Sequence, residues 1–380
     1  MQILPGLESG GVERGTVDIA KALKMADFEP IVVSKGGVLV YQLREAGVRH
    51  IDLPVHSKNP LTIFFNNKKI AKLIKEFHVD IVHVRSRAPM WSAYFACKKT
   101  RTKLVSTIHG TYSLNFFKWK IFPPKRAYNA LMLKADAIIA VSGFIKDYLV
   151  QNYKQKKKIF PLKKITIIQR GADLHYFTSE KVSKNRVIDL NNKWHLPEDK
   201  KIILMPARFT AWKGHEFLIE ALTKVKSDFL CVMIGSDHGH KKFRKKIEQK
   251  IIKENLVGKM VMAGLCKDMP AAYAISHLVV CPSVLPEAFG RVPIEAQAAS
   301  KVIIATKIGG ALDTVIDNKT GFLVDVGDAE GFAKLIDKVL EMPKEERDAI
   351  GFEGRKNIEE NFSNEKMCNA TIDLYRKLLH

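Results

Sequence analysis

The chain has 380 residues, of which 46% are hydrophobic, so it can bury the cores of two domains and does not have the composition of a disordered protein. Its formal net charge is +22, and the excess is uneven, because residues 1–165 hold 29 Lys and Arg against 11 Asp and Glu, whereas residues 166–380 hold 33 against 29. The five cysteines are scattered without a Cys-x-x-Cys pair, which favours reduced thiols in a cytosol over a disulfide framework or a zinc site. No signal peptide is recognisable, and no apolar run approaches the length needed to span a membrane.

The first half of the chain alternates strand and helix patterns. It begins almost inside a strand, at Met1–Leu4, and Val12–Leu23 places its apolar side chains on one helical face. Further apolar, β-branched runs predict strands at Pro30–Ser34, Asp80–Val84, Lys103–His109, Ala137–Ser142 and Ile165–Ile168. This alternation predicts a parallel sheet covered by helices.

The second half repeats this alternation. Its predicted strands are Lys201–Met205, Phe229–Gly235, Lys259–Gly264, Leu278–Ser283, Val302–Thr306 and Gly321–Val324. We therefore predict an α/β fold of two facing, doubly wound domains, 1–170 and 201–361, joined by a polar, irregular linker at 171–200 and followed by a helix at about 362–380. Ligands of such domains bind at the carboxyl ends of the strands, which places the expected site in a cleft between the two sheets.

Residues 286–295, Pro-Glu-Ala-Phe-Gly-Arg-Val-Pro-Ile-Glu, point to a ligand with both hydroxyl and phosphate groups. The carboxylates of Glu287 and Glu295 can accept hydrogen bonds from sugar hydroxyls. A helix is predicted to begin between them, with Pro293 in its first turn, so the backbone N–H groups around Phe289, Gly290 and Arg291 would point at a phosphate. A nucleotide-sugar carries both groups. The alternative interpretation is an ordinary surface helix with two acids.

Two cations and one histidine follow predicted strands. Arg208 and Lys213 lie between the strand at 201–205 and the next helix, where an arginine can fork two phosphate oxygens and a lysine supplies a mobile charge. His109 closes the strand at 103–108 and is expected to point into the crevice. The alternatives are two solvated surface bases and a structural histidine that caps a turn.

Several glycines and two arginines also lie at strand ends. Gly10 and Gly11 separate the first strand from its helix, where backbone can approach a ligand closely, although the Gly-x-Gly-x-x-Gly fingerprint is absent. Other predicted strands end at Gly235 and Gly264 or precede the pair Gly309–Gly310. Arg85 and Arg87 follow the strand at 80–84, and we expect them to meet an anionic acceptor; the alternative is a solvent-exposed loop.

The spacing of Glu287 and Glu295, together with the order of these motifs, resembles the Glu-x7-Glu pattern of retaining glycosyltransferases of family 4. These enzymes have two Rossmann-like domains, an architecture called GT-B, and the chain resembles the bacterial lipopolysaccharide-core-type enzymes of this family. The resemblance implies that Glu287 contacts the donor sugar and Glu295 the nucleotide ribose. It also implies that Arg208 and Lys213 hold the diphosphate, that His109 lies near the donor sugar, and that Gly10–Gly11 form a flexible loop near the donor phosphate.

By the same resemblance, the last helix crosses back to the first domain, and the start of the chain is expected to be trimmed by a few residues. Gly235 and Gly264 are expected near the nucleotide base, and Gly309–Gly310 is a glycine pair that the family also has. One departure is Ser300-Lys301-Val302, which replaces the usual Gly-x-Pro turn.

The implied function is transfer of a hexose-type sugar from a UDP- or GDP-linked donor to a glycan or lipid-linked acceptor in cell-envelope polysaccharide synthesis. The chain contains no Asp-x-Asp motif, so we expect no metal and no cofactor, with fixed cations in place of a divalent ion. The resemblance also implies retention at the anomeric carbon. A sugar-nucleotide epimerase or a sugar phosphorylase of the same architecture remains an alternative.

The basic first half also suits an anionic surface. Aromatic and basic residues mix at 112–128, and further lysines occur at Lys154–Lys158 and Lys163–Lys164. Such a cluster predicts contact with an anionic membrane by a cytoplasmic protein, peripheral on the inner membrane. One alternative is a solvated face over core aromatics. A nucleic-acid binder is a more remote one, because no nucleic-acid motif is evident and residues 286–295 would stay unexplained.

Overall fold

A computed structural model describes every residue except 9, 112–124, 154–163, 179–180 and 238, and excludes the side chains of 125–127. The chain divides into two compact units, unit 1 with Met1–Arg170 and Asn364–His380, and unit 2 with Gly171–Ser363. The predicted basic and aromatic surface at 112–128 and 154–164 lies almost wholly outside the described residues. No helix in the described part of the chain is long and apolar enough to cross a membrane.

Unit 1 contains a parallel sheet of seven strands in the order β3-β2-β1-β4-β5-β6-β7. Its strands are β1 (Gln2–Ile3), β2 (Ile31–Ser34), β3 (Arg49–Asp52), β4 (Ile81–Val84), β5 (Lys103–Ile108), β6 (Ala137–Ala140) and β7 (Ile165–Ile167). Its helices are α1 (Gly11–Met25), α2 (Val40–Glu45), α3 (Pro60–Glu76), α4 (Arg87–Thr100), α5 (Lys125–Ala130), α6 (Gly143–Tyr153) and the last helix, α15 (Asn364–Leu379). The central strands are buried, as expected for a parallel sheet with helices on its faces.

Unit 2 contains a parallel sheet of six strands in the order β10-β9-β8-β11-β12-β13. Its strands are β8 (Lys201–Pro206), β9 (Phe229–Ile234), β10 (Met260–Gly264), β11 (Leu278–Cys281), β12 (Ile303–Thr306) and β13 (Phe322–Val324). Its helices are α7 (Lys184–Trp194), α8 (His215–Leu222), α9 (Lys241–Lys253), α10 (Met269–Ile275), α11 (Arg291–Ala298), α12 (Ala311–Thr314), α13 (Ala329–Glu341) and α14 (Lys344–Asn361). The predicted fold class, two Rossmann-like α/β domains, is confirmed.

The stretch 171–200 is not the irregular linker that its polar sequence predicted. Ser183 caps the amino end of α7 through its side chain, and the helix buries only Leu190 and Trp194. Arg186 of this helix forms a two-bond ion pair with Asp268, at 2.6 and 2.7 Å. A helix with so narrow an apolar face gives a weak periodic signal, which explains the error.

Helix α15 belongs to unit 1 although it follows the whole of unit 2. Its side chains Met367, Ile372 and Tyr375 share a buried cluster with Ile19 and Leu23 of α1. The Tyr375 hydroxyl also lies 2.5 Å from Nδ1 of a buried histidine of β4, His83. The last helix therefore completes the core of the first unit.

Candidate active site

The predicted cations and the first carboxylate meet where the strand order of unit 2 reverses. From β8 the chain proceeds outward through β9 and β10, then returns to β11 on the opposite side of β8. The carboxyl ends of β8 and β11 therefore flank a crevice of the kind in which α/β sheets bind ligands. Arg208 and Lys213 follow β8, and Glu287 follows β11.

Lys213 and Glu287 form a nearly buried ion pair. The Lys213 Nζ lies 2.6 Å from Glu287 Oε1, and the two side chains are only 11% and 14% exposed. The same carboxylate oxygen accepts a hydrogen bond of 2.6 Å from the Ser283 hydroxyl and contacts Cys281 Sγ at 3.5 Å. Burial by itself raises the pKa of Glu287, but Lys213 and the two hydrogen bonds outweigh it and hold that pKa below its usual value. Glu287 is therefore ionised at neutral pH.

The loop that carries Lys213 packs directly against the end of β11. Residues 211–213 form a short 3-10 turn, whose last residue is followed by Gly214 with a φ of +78°. A Cβ at Gly214 would lie 1.7 Å from the Pro282 carbonyl oxygen, so only glycine fits. The Val284 N–H also donates to the Trp212 carbonyl at 2.9 Å. These contacts bring Lys213 to Glu287.

The Gly309–Gly310 pair supports the Glu287 segment from the other side. A Cβ at Gly309 would lie 2.6 Å from the Glu287 carbonyl oxygen, and one at Gly310 would lie 2.2 Å from the Phe289 carbonyl oxygen. The Gly310 N–H donates to the Glu287 carbonyl at 2.9 Å. This glycine pair therefore allows the backbone of residues 287–289 to pack closely against the end of β12.

Helix α11 begins beside Glu287, as predicted. Gly290, with a φ of +79°, precedes the first helical residue, Arg291. Because the first turn of a helix leaves its N–H groups without intrahelical partners, this end can receive an anion. The Phe289 ring is buried, 6.1 Å from the Phe362 ring, so this residue can reach a ligand only through its backbone.

Glu295, on the same helix, is held by two side chains. Arg291 contacts its Oε1 atom at 2.7 and 2.8 Å, and the Tyr273 hydroxyl donates to its Oε2 atom at 3.2 Å. Burial, followed by the charge of Glu295, raises the pKa of Tyr273 well above its usual value, so the phenol stays a donor. The Glu295 side chain is only 13% exposed. The second carboxylate is thus fixed in place.

The remaining predicted donor-binding residues of unit 2 lie at neighbouring strand ends. Arg208 is exposed, and its guanidinium lies 6.0 Å from the centre of the Trp212 ring, while Lys213 Nζ lies 4.4 Å from the same ring. Gly235 follows β9, and its N–H donates to the carbonyl of Gly264, the last residue of β10, at 2.8 Å. A Cβ at Gly235 would lie 1.9 Å from the Ala207 carbonyl oxygen, next to Arg208. The structure thus places Gly235 beside the Arg208 loop and Gly264 one strand farther from it.

In unit 1, the strand order reverses between β1 and β4. Gly10 and Gly11 begin α1 after β1, as predicted. Arg85, directly after β4, is only 3% exposed, and its Nη1 donates to Gln2 Oε1 at 3.1 Å. Arg87, the first residue of α4, is exposed and donates to Asn129 Oδ1 at 3.1 Å. A role for either arginine in binding the acceptor stays a prediction.

His109 follows β5 and is half-buried, with its Nε2 atom out of contact with solvent. Its Nδ1 atom lies 2.6 Å from Nη2 of Arg170, and Nη1 of that arginine donates to the Gly11 carbonyl. Burial, then the charges of Arg170 and Arg85, lower the pKa of His109 well below its usual value. The ring is therefore neutral at physiological pH and joined through Arg170 to the start of α1.

Comparison with known proteins identifies the family. Residues 9–176 match the family described as Glycosyltransferase Family 4, and residues 188–357 match Glycosyl transferases group 1. The crystal structure of a glycosyltransferase from Rickettsia africae ESF-5 is 39% identical, covers 100% of this chain and 98% of its own, and superimposes with a TM-score of 0.88. The chain belongs to glycosyltransferase family 4. It is therefore an enzyme that transfers sugars.

Two further relatives of this glycosyltransferase are more distant. The Staphylococcus aureus capsular polysaccharide biosynthesis glycosyltransferase CapM is 25% identical over 375 residues, which cover 96% of this chain and 93% of CapM. Anabaena HepE, solved in complex with UDP, is 21% identical, covers 99% of this chain and 100% of its own, and has a TM-score of 0.82. The likeness to HepE shows that the two proteins share a fold.

The sequence predicted the charged residues that the structure brings together in unit 2, but it did not predict their hydrogen-bond partners. Ser283 was assigned to the end of a strand, and Tyr273 and Arg170 had no motif to mark them. Trp212 directly precedes Lys213 in the sequence, but no role was predicted for it. Ser283 could have been identified from its position four residues before Glu287, at the carboxyl end of a central strand.

Proposed function

We propose that this glycosyltransferase moves a hexose from a UDP-linked donor to a glycan or glycolipid of the cell envelope, with retention at the anomeric carbon. The observation that carries the proposal is the Lys213–Glu287 pair beside the first turn of α11. It sets a cation, a carboxylate and helix N–H groups side by side, which are the groups that a sugar diphosphate requires. HepE, a distant relative in sequence, was crystallised with UDP, and CapM serves capsular polysaccharide synthesis; both support the choice of substrates.

In this proposal the unit 2 site stabilises the leaving diphosphate. The bond between the anomeric carbon and the phosphate oxygen breaks, and a bond to the acceptor hydroxyl oxygen forms on the same face of the sugar. The acceptor proton passes to the released phosphate oxygen, so no carboxylate has to form a covalent intermediate. Arg208, Lys213 and the N–H groups of residues 290–292 offset the charge that develops on the diphosphate.

The same cations support a metal-independent reaction. Lys213 is already anchored by Glu287 and stacked on Trp212, so its charge is positioned before a ligand arrives. Arg208 is exposed on the same loop and can fork two phosphate oxygens. Preorganised charges of this kind can take the place of a divalent ion in neutralising a diphosphate.

The test begins with thermal shifts in UDP, GDP and ADP, followed by UDP release from UDP-glucose, UDP-galactose and UDP-N-acetylglucosamine. We expect UDP to give the largest shift, and turnover to persist in excess EDTA. Preferential stabilisation by GDP would overturn the choice of base, and loss of turnover in EDTA would overturn metal independence. Incubation of the donor without acceptor is the control for the alternative reaction, because an epimerase would convert the sugar there.

We also propose that the exposed face of α3 docks on an anionic membrane. Leu61, Phe64 and Phe65 near its start are 69%, 53% and 56% exposed, which is unusual for large apolar side chains in close sequence. The helix continues with exposed lysines, namely Lys68, Lys69, Lys72 and Lys75. Lys68 Nζ lies 4.5 Å from the centre of the Phe64 ring, so base and aromatic lie on one face.

Charge and position favour a lipid surface as the partner. Apolar rings inserted at the headgroup level beside lysines suit anionic lipids, to which each base near the surface adds about 1 kcal/mol. Helix α4, which packs beside α3 through hydrogen bonds between Ser92 and residues Ile63 and Asn67, exposes a further ring, Phe95, and the bases Lys98 and Lys99. A membrane-bound acceptor would then reach the enzyme from this side of unit 1.

Vesicle flotation tests this face. We expect the chain to float with phosphatidylglycerol vesicles and not with phosphatidylcholine vesicles, and the change Leu61→Ser, Phe64→Ser, Phe65→Ser to weaken binding at least tenfold. The matched control is Phe352→Ser, because Phe352 is 65% exposed in unit 2. Unchanged flotation of the triple variant would rule out the α3 face as the docking surface.

A further inference from the structure

A buried network of two side-chain amides joins the helices α11, α12 and α14 of unit 2. Gln297 of α11 is 0% exposed and Asn357 of α14 is 7% exposed. The Gln297 Nε2 atom donates to the Pro293 carbonyl at 3.1 Å and to the Thr314 carbonyl at 2.9 Å. The Asn357 Nδ2 atom donates to Gln297 Oε1 and to the same Thr314 carbonyl, each at 3.1 Å. The last residue of α12 therefore accepts one bond from each of the two longer helices.

Every polar atom of the two amides has a partner. Each NH2 group donates twice, and Asn357 Oδ1 accepts from Asn361 Nδ2 at 3.1 Å. Reversing either amide would place its oxygen against the Thr314 carbonyl oxygen, so the contacts allow one orientation of each side chain. A satisfied buried network of this kind can fix one register of the elements that it joins, which an apolar contact does not do.

Two glycines of α14 let this helix approach closely enough for the amides to meet. A Cβ at Gly351 would lie 2.2 Å from the Ser300 carbonyl oxygen, and one at Gly354 would lie 3.0 Å from Gln297 Cγ. Gly351, Gly354 and Asn357 follow one another at intervals of about one helical turn. The close packing of α14 on α11 and the amide network therefore belong to one interface.

The network reaches the candidate active site through α12. The Thr314 hydroxyl donates to the Gly310 carbonyl at 3.1 Å, one turn earlier in the chain. The Gly310 N–H in turn donates to the Glu287 carbonyl at 2.9 Å, and a Cβ at Gly310 would lie 2.2 Å from the Phe289 carbonyl oxygen. At its other end the network holds the carbonyl of Pro293, in the first turn of α11. The amides thus connect the Glu287 segment to the start of this helix.

We infer that Gln297 and Asn357 are positioning residues of this glycosyltransferase, which hold the start of α11 and the Glu287 segment in register for the donor without touching it. The inference rests on the proposed function for the identity of the donor. Both side chains lie in the core of unit 2, where a ligand at the strand ends does not contact them. Loss of the network should therefore loosen the site while the fold persists.

Hydrogen exchange at the Gly310 amide tests the inference without a substrate. Gln297→Met nearly keeps the size of the side chain and removes the amide. The matched control is Ile247→Val, which removes one methyl group from a fully buried side chain of α9. We expect the Gly310 N–H to exchange at least about tenfold faster in Gln297→Met than in the control. Equal exchange in the two variants would show that the network does not hold the Glu287 segment.

Donor binding tests the functional part of the inference. We expect Gln297→Met to weaken UDP binding and to lower kcat/KM, each about tenfold, by analogy with the loss of outer-shell partners at metal sites, and Ile247→Val to change neither. Asn357→Ala leaves both Gln297 donations in place and should give a smaller shift of the same sign, which tests the network even if Gln297→Met does not fold.

The network would be merely structural if these folded variants lost stability but bound UDP and turned over as the wild type does. A wild-type chain that binds neither UDP nor GDP would count against the proposed function instead. The exchange measurement at Gly310 would still test whether the amides hold the Glu287 segment, because it needs no ligand.

Discussion

At the scale of single residues, the Lys213–Glu287 pair links stability to the expected chemistry. Both charges are nearly buried, and Glu287 is further held by Ser283. A buried charge without its partner is costly, whereas a pair removed together is often replaced with little loss. The pair thus positions a cation for a phosphate group, and loss of either partner is expected to lower the free energy of unfolding considerably.

Replacing Lys213 by methionine should therefore damage both stability and catalysis. We expect the free energy of unfolding to fall by about 3 kcal/mol, because Glu287 is left buried without its cation. We expect kcat to fall about 10²–10³-fold, by analogy with the loss of one transition-state donor. Urea unfolding and donor turnover measure the two effects.

Two control variants isolate the charge. Lys213→Met combined with Glu287→Gln should recover most of the lost stability but none of the activity. Lys334→Met, at an exposed lysine of the same unit, should change stability by less than about 0.5 kcal/mol. A loss of activity below about threefold in Lys213→Met would remove this lysine from diphosphate binding.

The sequence predicted Lys213 and Glu287 because each is a charged residue that follows a predicted strand. It could not predict their partners, because Ser283, Tyr273 and Arg170 are ordinary polar residues until the fold brings them to a carboxylate or an imidazole. Arg85 shows the converse case. Its position after a strand predicted either a contact with the acceptor or a solvent-exposed loop, and the structure is inconsistent with the exposed loop, because Arg85 is buried against Gln2.

At the scale of elements, glycines allow the loops of unit 2 to pack closely, backbone against backbone. Gly214 and Gly258 share nearly the same left-handed backbone, with φ values of +78° and +82°. They differ in surroundings, because a Cβ at Gly214 would collide with Pro282, whereas nothing lies within 4 Å of one at Gly258. Substitutions at the two glycines can therefore distinguish the cost of backbone strain from the cost of a steric clash.

Alanine at these two positions should have unequal effects. Gly258→Ala should cost about 1 kcal/mol, the strain of a left-handed residue with a side chain. Gly214→Ala should cost at least about 2 kcal/mol more, because the loop must move away from β11, and it should also weaken UDP binding by displacing Lys213. Chemical unfolding and thermal shift with UDP measure both, and equal losses of stability would contradict the packing argument.

How accurately each strand was predicted depends on how strong its sequence pattern is. Buried strands such as β9 and β11 were found within a residue or two because their sequences are continuously apolar. Strand β3, Arg49–Asp52, was missed because it lies at the sheet edge and is mostly polar. The departure at Ser300 keeps the backbone that a glycine would adopt, with a φ of +55°.

At the scale of the whole molecule, buried and half-buried histidines are spread over both units. Burial lowers the pKa of His83 and His109 well below the usual value, and it lowers the pKa of His215 and His277 to about 4. Each of these groups takes up a proton more readily in the unfolded chain. The contribution of these histidines to the free energy of unfolding is therefore fully present above about pH 6.5 and is lost as the pH falls toward the folded-state pKa values.

Unfolding should accordingly become easier in mild acid. Between pH 7.5 and pH 5, His215 alone should lower the free energy of unfolding by about 2 kcal/mol, given its depressed pKa of about 4. Urea unfolding at the two pH values measures the change. His215→Phe, which keeps the stack on Phe209, should show a smaller loss, and a chain equally stable at both pH values would contradict the prediction.

The path of the chain through its two units has a consequence for truncation. Unit 2 is in effect an inserted domain, entered after Arg170 and left at Ser363, and its two ends meet where the Ala172 N–H donates to the Phe362 carbonyl at 2.8 Å. A chain that ends at residue 363 would therefore keep every residue of unit 2 and lack the helix that covers Ile19 and Leu23. Such a truncation would destabilise the earlier domain and leave the later one whole, although the residues removed follow the later domain in the sequence.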